Sequence, residues 1–124
     1  MVDWCTELAT YELVWTGKKK HFNKLEQKPH IWSSSTLYTE EMKQMRRDWF
    51  ADWLIENREF KQEEIVKFHN NDKLGTSETS VKMFRPNVET VSITSVKKVD
   101  SNVKMDYIDF VNIANTKQKI LEEQ

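Results

Sequence analysis

A single cysteine, Cys5, and two glycines, Gly17 and Gly75, are the clearest shortages of this chain. One thiol can form neither an intrachain disulfide nor a cysteine-based zinc cluster, so its default role is that of a small buried hydrophobe. Two isolated glycines cannot build a phosphate-cradling loop, which needs several close together for the backbone to turn tightly and approach the anion. A P-loop and a dinucleotide-binding fingerprint are thereby excluded, and most nucleotide-dependent enzymes are disfavoured. No apolar run is long enough to span a bilayer, and Asp3 and Glu7 stand where a secretory leader would be basic and then apolar. The expectation is a soluble, cytoplasmic protein with no cofactor and no membrane contact. Neither sign of charge dominates: 19 basic and 20 acidic side chains give a formal net charge of -1. That balance disfavours duplex-DNA binding by bulk charge and mimicry of nucleic acid by an acidic surface.

Aromatic residues, by contrast, are plentiful: five Trp, six Phe and three Tyr. Rings bury much area per residue, so length and composition predict one folded domain over 1–124 rather than a disordered chain. The most informative stretch is Thr39–Glu56, TEEMKQMRRDWFADWLIE. Thr39 is a good N-cap, and Glu40 and Glu41 complement the helix dipole in the first turn. Helical periodicity aligns Met42, Met45, Trp49 and Trp53, with Phe50 and Leu54 widening the stripe. Glu41, Asp48 and Asp52 fall on one polar flank, Lys43 and Arg47 on the other. The apolar arc is about half the circumference, wider than the ~100° a surface helix needs. Either the helix is deeply sandwiched or part of the stripe serves another molecule. Arg46 lies inside the arc, one turn before Trp49 and Phe50, where its guanidinium can cover either ring. The ordinary reading is a snorkelling arginine; the sharper one is an arginine–tryptophan anchor of the kind enriched at interface hot spots.

Elsewhere the pattern is mostly β. Thr10–Thr16 alternates as a strand with Tyr11, Leu13 and Trp15 on one face, and Gly17 opens a polar run, GKKKHFNK, that reads as an exposed turn or loop. Pro29 excludes a helix near His30, leaving His30–Tyr38 as a strand or an extended arm. Asn57–Asn71 fits strand and helix, and Glu63 and Glu64 ahead of IVKF favour the helix. His69 to Gly75 then breaks it. Ser80–Arg85, Val88–Val99 and Val103–Val111 are rich in β-branched and aromatic residues, and the turn sequences Pro86-Asn87 and Asp100-Ser101-Asn102 separate them into an antiparallel meander. Ala114–Glu123 reads as a terminal helix with Ile120 and Leu121 to dock. The expected fold class is α+β, a long amphipathic helix packed on an antiparallel sheet formed mainly by the C-terminal half.

Chemical constellations are sparse. Asp48, Asp52 and Glu56 share a flank at a spacing able to hold a divalent cation, but a solvated charged face accounts for it and no further ligand is visible. Glu26/Lys28 and Glu64/Lys67 faintly suggest the acid–lysine pairing of metal-dependent nucleases, a pairing common by chance in any Glu/Lys-rich chain. His21, His30 and His69 have no metal-ligand spacing, and Ser33–Ser35 sit in no nucleophile motif. No catalytic or metal residue is assigned, and an enzyme is disfavoured. The leading expectation is a small non-enzymatic binding protein that docks on a larger protein through Arg46, Trp49, Phe50 and Trp53. The alternative is a single-stranded nucleic-acid or RNA-binding domain using Lys18, Lys19 and Lys20 with Arg47 and exposed rings as stacking platforms; a metal-dependent nuclease ranks last. The surplus apolar arc also suits a homodimer. In style, a glycine-poor chain with Lys, Asn and Trp and no linker resembles small accessory proteins of bacteriophages, with no motif behind that likeness.

Overall fold

The computed structural model describes residues 9–112, and the chain divides into two compact units, Met1–Trp32 and Ser33–Gln124. The fold class is α+β, and the described residues form two antiparallel two-stranded sheets and the two helices α1 (Glu40–Glu56) and α2 (Gln62–His69). Cys5 and the helix expected over Ala114–Glu123 lie outside the described residues.

The first unit is a hairpin of β1 (Thr10–Trp15) and β2 (Lys20–Leu25), in register from Thr10 opposite Leu25 to Trp15 opposite Lys20. The strand expected at β1 is present, but Lys20–Leu25 is a strand and not the expected loop. Its polarity hid it, because β2 has few apolar residues to mark a period. The reversal works because Gly17 takes φ +89°, a left-handed conformation that costs glycine little. The Thr16 hydroxyl donates to Lys19 O at 3.2 Å and accepts from Lys19 N at 3.1 Å, closing the turn.

His30–Tyr38, which runs across the boundary between the units, forms no strand. Helix α1 (Glu40–Glu56) starts where Thr39 Oγ1 accepts from Met42 N and stops where Asn57 folds back, its backbone and side-chain amides both donating to Trp53 O. Helix α2 (Gln62–His69) resolves the ambiguous stretch in favour of the helix, with Glu63 and Glu64 in its first turn and the Lys67 cation in its last, both matched to its dipole. Strands β3 (Ser92–Val99) and β4 (Asn102–Asp109) pair with Ile93 opposite Ile108 and Val96 opposite Met105, turning at Asp100-Ser101. The sheet of the C-terminal half therefore has two strands. Ser80–Arg85 does not join it: Val81 and Met83 are buried and Phe84 exposed, as in a strand, but the segment holds only an isolated bridge from Phe84 to Glu89.

The core sits between α1, α2 and the loop from Asn71 to Arg85. Phe68 of α2 is buried against Phe50 and Trp53, with ring centroids 5.9 and 5.8 Å away. Burying one such side chain stabilises by roughly 1.5–3 kcal/mol. Helix α2 also packs on β3, where Gln62 Nε2 donates to Ser95 Oγ at 2.7 Å. The helix that rests on the sheet is thus α2, while the longer α1 packs its aromatic stripe on α2.

Arg46 is the most consequential departure from expectation. It does not cover Trp49 or Phe50; only 6% of it is exposed, and its guanidinium lies 3.9 Å from the centre of the Tyr38 ring. Its Nη2 donates to Ser80 O at 2.6 Å and Thr79 O at 3.4 Å. Ser80 is wholly buried, and its hydroxyl donates to Lys82 O at 2.5 Å. Arg85 approaches the same Tyr38 ring at 5.5 Å and donates to Glu78 O and Leu37 O, both at 3.0 Å. Arg46 therefore ties α1 to the loop by charge-assisted bonds to backbone.

Two outcomes follow. Arg46→Ala strips Ser80 O of its donor and removes the cation from Tyr38; it lowers unfolding free energy by about 2–3 kcal/mol in urea titration, from the ~1–3 kcal/mol cost of an unpaired buried polar group together with lost stem packing. Arg46→Lys recovers little of that, since an ammonium has no planar fork. His69 gives the second. Its ring packs edge-on against Phe68 at 5.6 Å, and although the residue as a whole is exposed, partial desolvation of the ring, helped by the Arg46 charge, lowers its pKa. Above the ordinary histidine value of about 6.5 both folded and unfolded forms are neutral. As pH falls below that value the unfolded chain takes up a proton the folded one resists, so stability declines. His69→Gln flattens this part of a stability–pH profile.

Candidate functional site

The N-terminal hairpin gathers an unusual surface. Strand side chains alternate between faces, and directly opposed residues share one. The β1–β2 register therefore puts Tyr11, Leu13 and Trp15 on the same face as Lys24, Phe22 and Lys20. Tyr11 and Phe22 stack diagonally, centroids 5.3 Å apart and planes 4° from parallel. None of the four apolar side chains is covered: Tyr11 is 53%, Leu13 62%, Trp15 65% and Phe22 60% exposed. Lys18 and Lys19 lie in the turn between the strands and are exposed. Lys18, Lys19, Lys20 and Lys24 have no acidic partner among the described residues. On the other face Glu12 accepts from the Trp32 indole N–H, and His30 lies against Trp32 with its ring nitrogen 2.9 Å from Glu26 O. That face thus carries its polar contacts within the unit.

The basic residues expected to act together are divided. Lys18, Lys19 and Lys20 belong to the hairpin, but Arg47 belongs to α1, where Gln44 Oε1 accepts from its Nε and Nη2 at 3.2 and 2.8 Å.

The docking residues expected on α1 separate as well. Arg46 faces inward, so it offers no side chain to a partner in this conformation. Phe50 is half-buried against Trp53 and Phe68. Trp49 and Trp53 are half-buried, yet with Phe68 and Leu74 they wall an open cleft of about 490 Å³ between α1 and α2. Asp52, Glu56 and Glu64 stand around it. Gly75 supports this wall: at φ +72° it lets the loop pass the indole, and a Cβ there would lie 2.6 Å from Thr79 Oγ1 and 2.9 Å from the Trp49 ring.

Of the acids weighed for metal or nuclease chemistry, three are engaged by neighbours within their own units. Glu26 pairs with Lys28 at 3.0 Å, Glu64 with Lys67 at 2.8 Å, and Asp48 accepts from Gln44 at 2.9 Å. Among the described residues no three His, Cys, Asp or Glu side chains are placed to hold a metal ion, and no helix is long and apolar enough to cross a membrane.

Phe22 and Lys24 were legible as part of the basic run after Gly17, but their place on a strand face was not. The available signal was Gly17 two residues beyond Trp15, a spacing that suits a tight hairpin. The Tyr38 ring and the Ser80 carbonyl, which hold Arg46, carry no comparable mark, since Tyr38 lies outside the helix and a backbone carbonyl has no residue identity. No protein-family model matches the chain, and comparison with curated proteins and with solved structures found no match.

Gly75→Ala tests the cleft wall. Left-handed backbone strain and the clash together cost about 1–3 kcal/mol, and the Trp49 indole N–H resonance moves more than those of Trp15 and Trp32.

Proposed function

We propose that this protein works by binding, and that the aromatic–lysine face of its first hairpin takes single-stranded nucleic acid. The observation that carries the reading is the exposure of Trp15, Phe22 and Tyr11 on the face that also holds Lys20 and Lys24. Exposed apolar area of this kind marks a contact surface. The interleaved lysines select among contacts: unpaired bases stack on rings whatever their sequence, while ammonium groups follow the phosphates. Same-face side chains recur about every 7 Å along a strand, so successive bases splayed from an extended strand can each meet a ring. Duplex DNA, with its bases already stacked, offers such rings nothing. Four lysines against one glutamate between Thr10 and Leu25 give this hairpin a positive field that the whole-chain balance conceals.

A second reading, docking on a larger protein through α1, keeps one specific support. After α1 has packed, Trp49 and Trp53 still wall an open cleft. On that reading the anchor set contracts to those two tryptophans, with Arg46 and Phe50 serving the fold.

Fluorescence anisotropy with labelled single-stranded DNA and RNA of mixed sequence tests the first reading. Affinity falls steeply as salt rises. Trp15→Ala and Phe22→Ala each weaken binding by about 1–3 kcal/mol, the worth of one base–ring stack. Lys20→Ala shallows the salt dependence by roughly 0.7 in log–log slope. Duplex of the same sequence competes poorly. An absence of binding at low salt, or variants that bind like the parent, defeats the proposal.

A further inference from the structure

The α1–α2 cleft holds chemistry that the hairpin reading leaves unused. Two indoles, Trp49 and Trp53, form part of its wall, and carboxylates stand at its mouth. Asp52 and Glu56 lie one helical turn apart on the same side of α1, both exposed. Neither side chain has a hydrogen bond or ion pair among the described residues, whereas Asp48 is engaged by Gln44 and Glu64 by Lys67. Lys67, the one basic residue lining the cleft, is held by Glu64, so the mouth stays net negative.

We propose that this cleft receives an arginine side chain carried by a basic peptide segment of a protein partner. The inference rests on the docking reading of α1 and is independent of the hairpin. Its argument is complementarity of two kinds at one place. An indole face attracts a guanidinium through the ring quadrupole, and the flat guanidinium stacks there while its fork reaches a carboxylate by two parallel hydrogen bonds. Asp52 and Glu56 supply the acceptors, and Trp49 and Trp53 the rings. A phosphate-bearing or acidic ligand meets two unneutralised carboxylates. A purely apolar segment would strip water from those carboxylates and return no partner. The aromatic walls add nothing for a hard metal ion, which needs converging oxygens. The cleft volume lies within the range of ordinary small-ligand sites, so it admits one long side chain with room for its flanking backbone.

The test uses the full-length protein labelled with nitrogen-15 and three short peptides that differ only in carrying two arginines, two glutamines or two glutamates. The readout is the indole N–H resonances of Trp49 and Trp53, assigned through Trp49→Phe and Trp53→Phe. The arginine peptide shifts both resonances saturably, and the shift weakens as salt is added. The double variant Asp52→Asn, Glu56→Gln, confined to exposed positions, loses about tenfold or more in affinity while keeping its urea midpoint. Trp15→Ala binds the peptide like the parent. If the glutamine or glutamate peptide binds as well as the arginine one, the cationic occupant is wrong and docking at the cleft survives. If no peptide moves either indole, both fall. If free arginine binds as tightly as the peptide, the occupant is a small molecule and the peptide assignment is overturned.

Discussion

The second unit depends on one buried cation. Arg46 leaves α1 toward the loop and meets backbone carbonyls and the Tyr38 ring, with no carboxylate partner among the described residues. A charge taken from water is costly unless well paired, and burial accordingly lowers the Arg46 pKa. Carbonyl dipoles and an aromatic face must meet that cost, and Nε has no hydrogen-bond partner among the described residues. The arrangement fixes more than it stabilises. The loop from Asn71 to Arg85 has no ladder, so its course is set by point contacts: Asn71 Oδ1 accepting from Lys73 N and Leu74 N, Ser80 N donating to Thr76 O, Phe84 N donating to Ser77 O, and the Arg46 clasp. With the loop held, Val81 and Met83 turn inward, and Gly75 lies where Trp49 can stand against it.

Both hairpins are incomplete layers. A two-stranded sheet is at best marginal in water and needs a packed face. In the C-terminal hairpin that face is the one bearing Ile93, Ile108 and Ser95, which turns to α2; Val96, Val103, Met105 and Tyr107 line the opposite face and remain exposed. Its far end bears Lys97 opposite Lys104, like charges that weaken the pair, with Lys104 relieved by Asp106 at 3.3 Å. Lysines on an open edge discourage pairing with another chain, which accounts for tolerating them there. Past β4, Asp109 accepts from Val111 N and Asn112 N, and those bonds hold its carboxyl below the usual carboxylate range. The chain thus leaves the sheet through a capped helical turn.

How much was legible depended on whether a signal was local. The α1 boundaries were, because Thr39 and the two glutamates after it satisfy the helix end themselves. The turn at Asp100-Ser101 was, because its residues suit the required backbone. Ser80–Arg85 was read as a strand from its β-branched and aromatic residues; Val81 and Met83 do turn inward and Phe84 outward, but side-chain direction is not a hydrogen-bonded ladder. Proline at 86 and the tight reversal from Arg85 N to Val88 O restrict the pairing to a single bridge. Lys20–Leu25 failed in the opposite sense: a real ladder whose residues lack a hydrophobic period. The placement of Arg46 on an apolar arc was legible, but its partner was not, because Tyr38 and the Ser80 carbonyl come from separate stretches that only the folded loop brings together.

Charge shows the same limit most sharply. A net charge of -1 speaks against strong electrostatic binding only if charge is evenly spread, and here it is not. From Ala9 to Trp32 five lysines stand against two glutamates, while the cleft of the second unit is lined by three acids and one lysine. Each asymmetry lies beside exposed or half-exposed rings. Potential falls off within about 8–10 Å at physiological salt, so a ligand at either surface responds to the local sign, and the chain average is a quantity no ligand meets. Aromatic surface supplies contact area in both places, and the neighbouring charge decides what that area accepts. The two proposals therefore share one physical basis, with opposite sign.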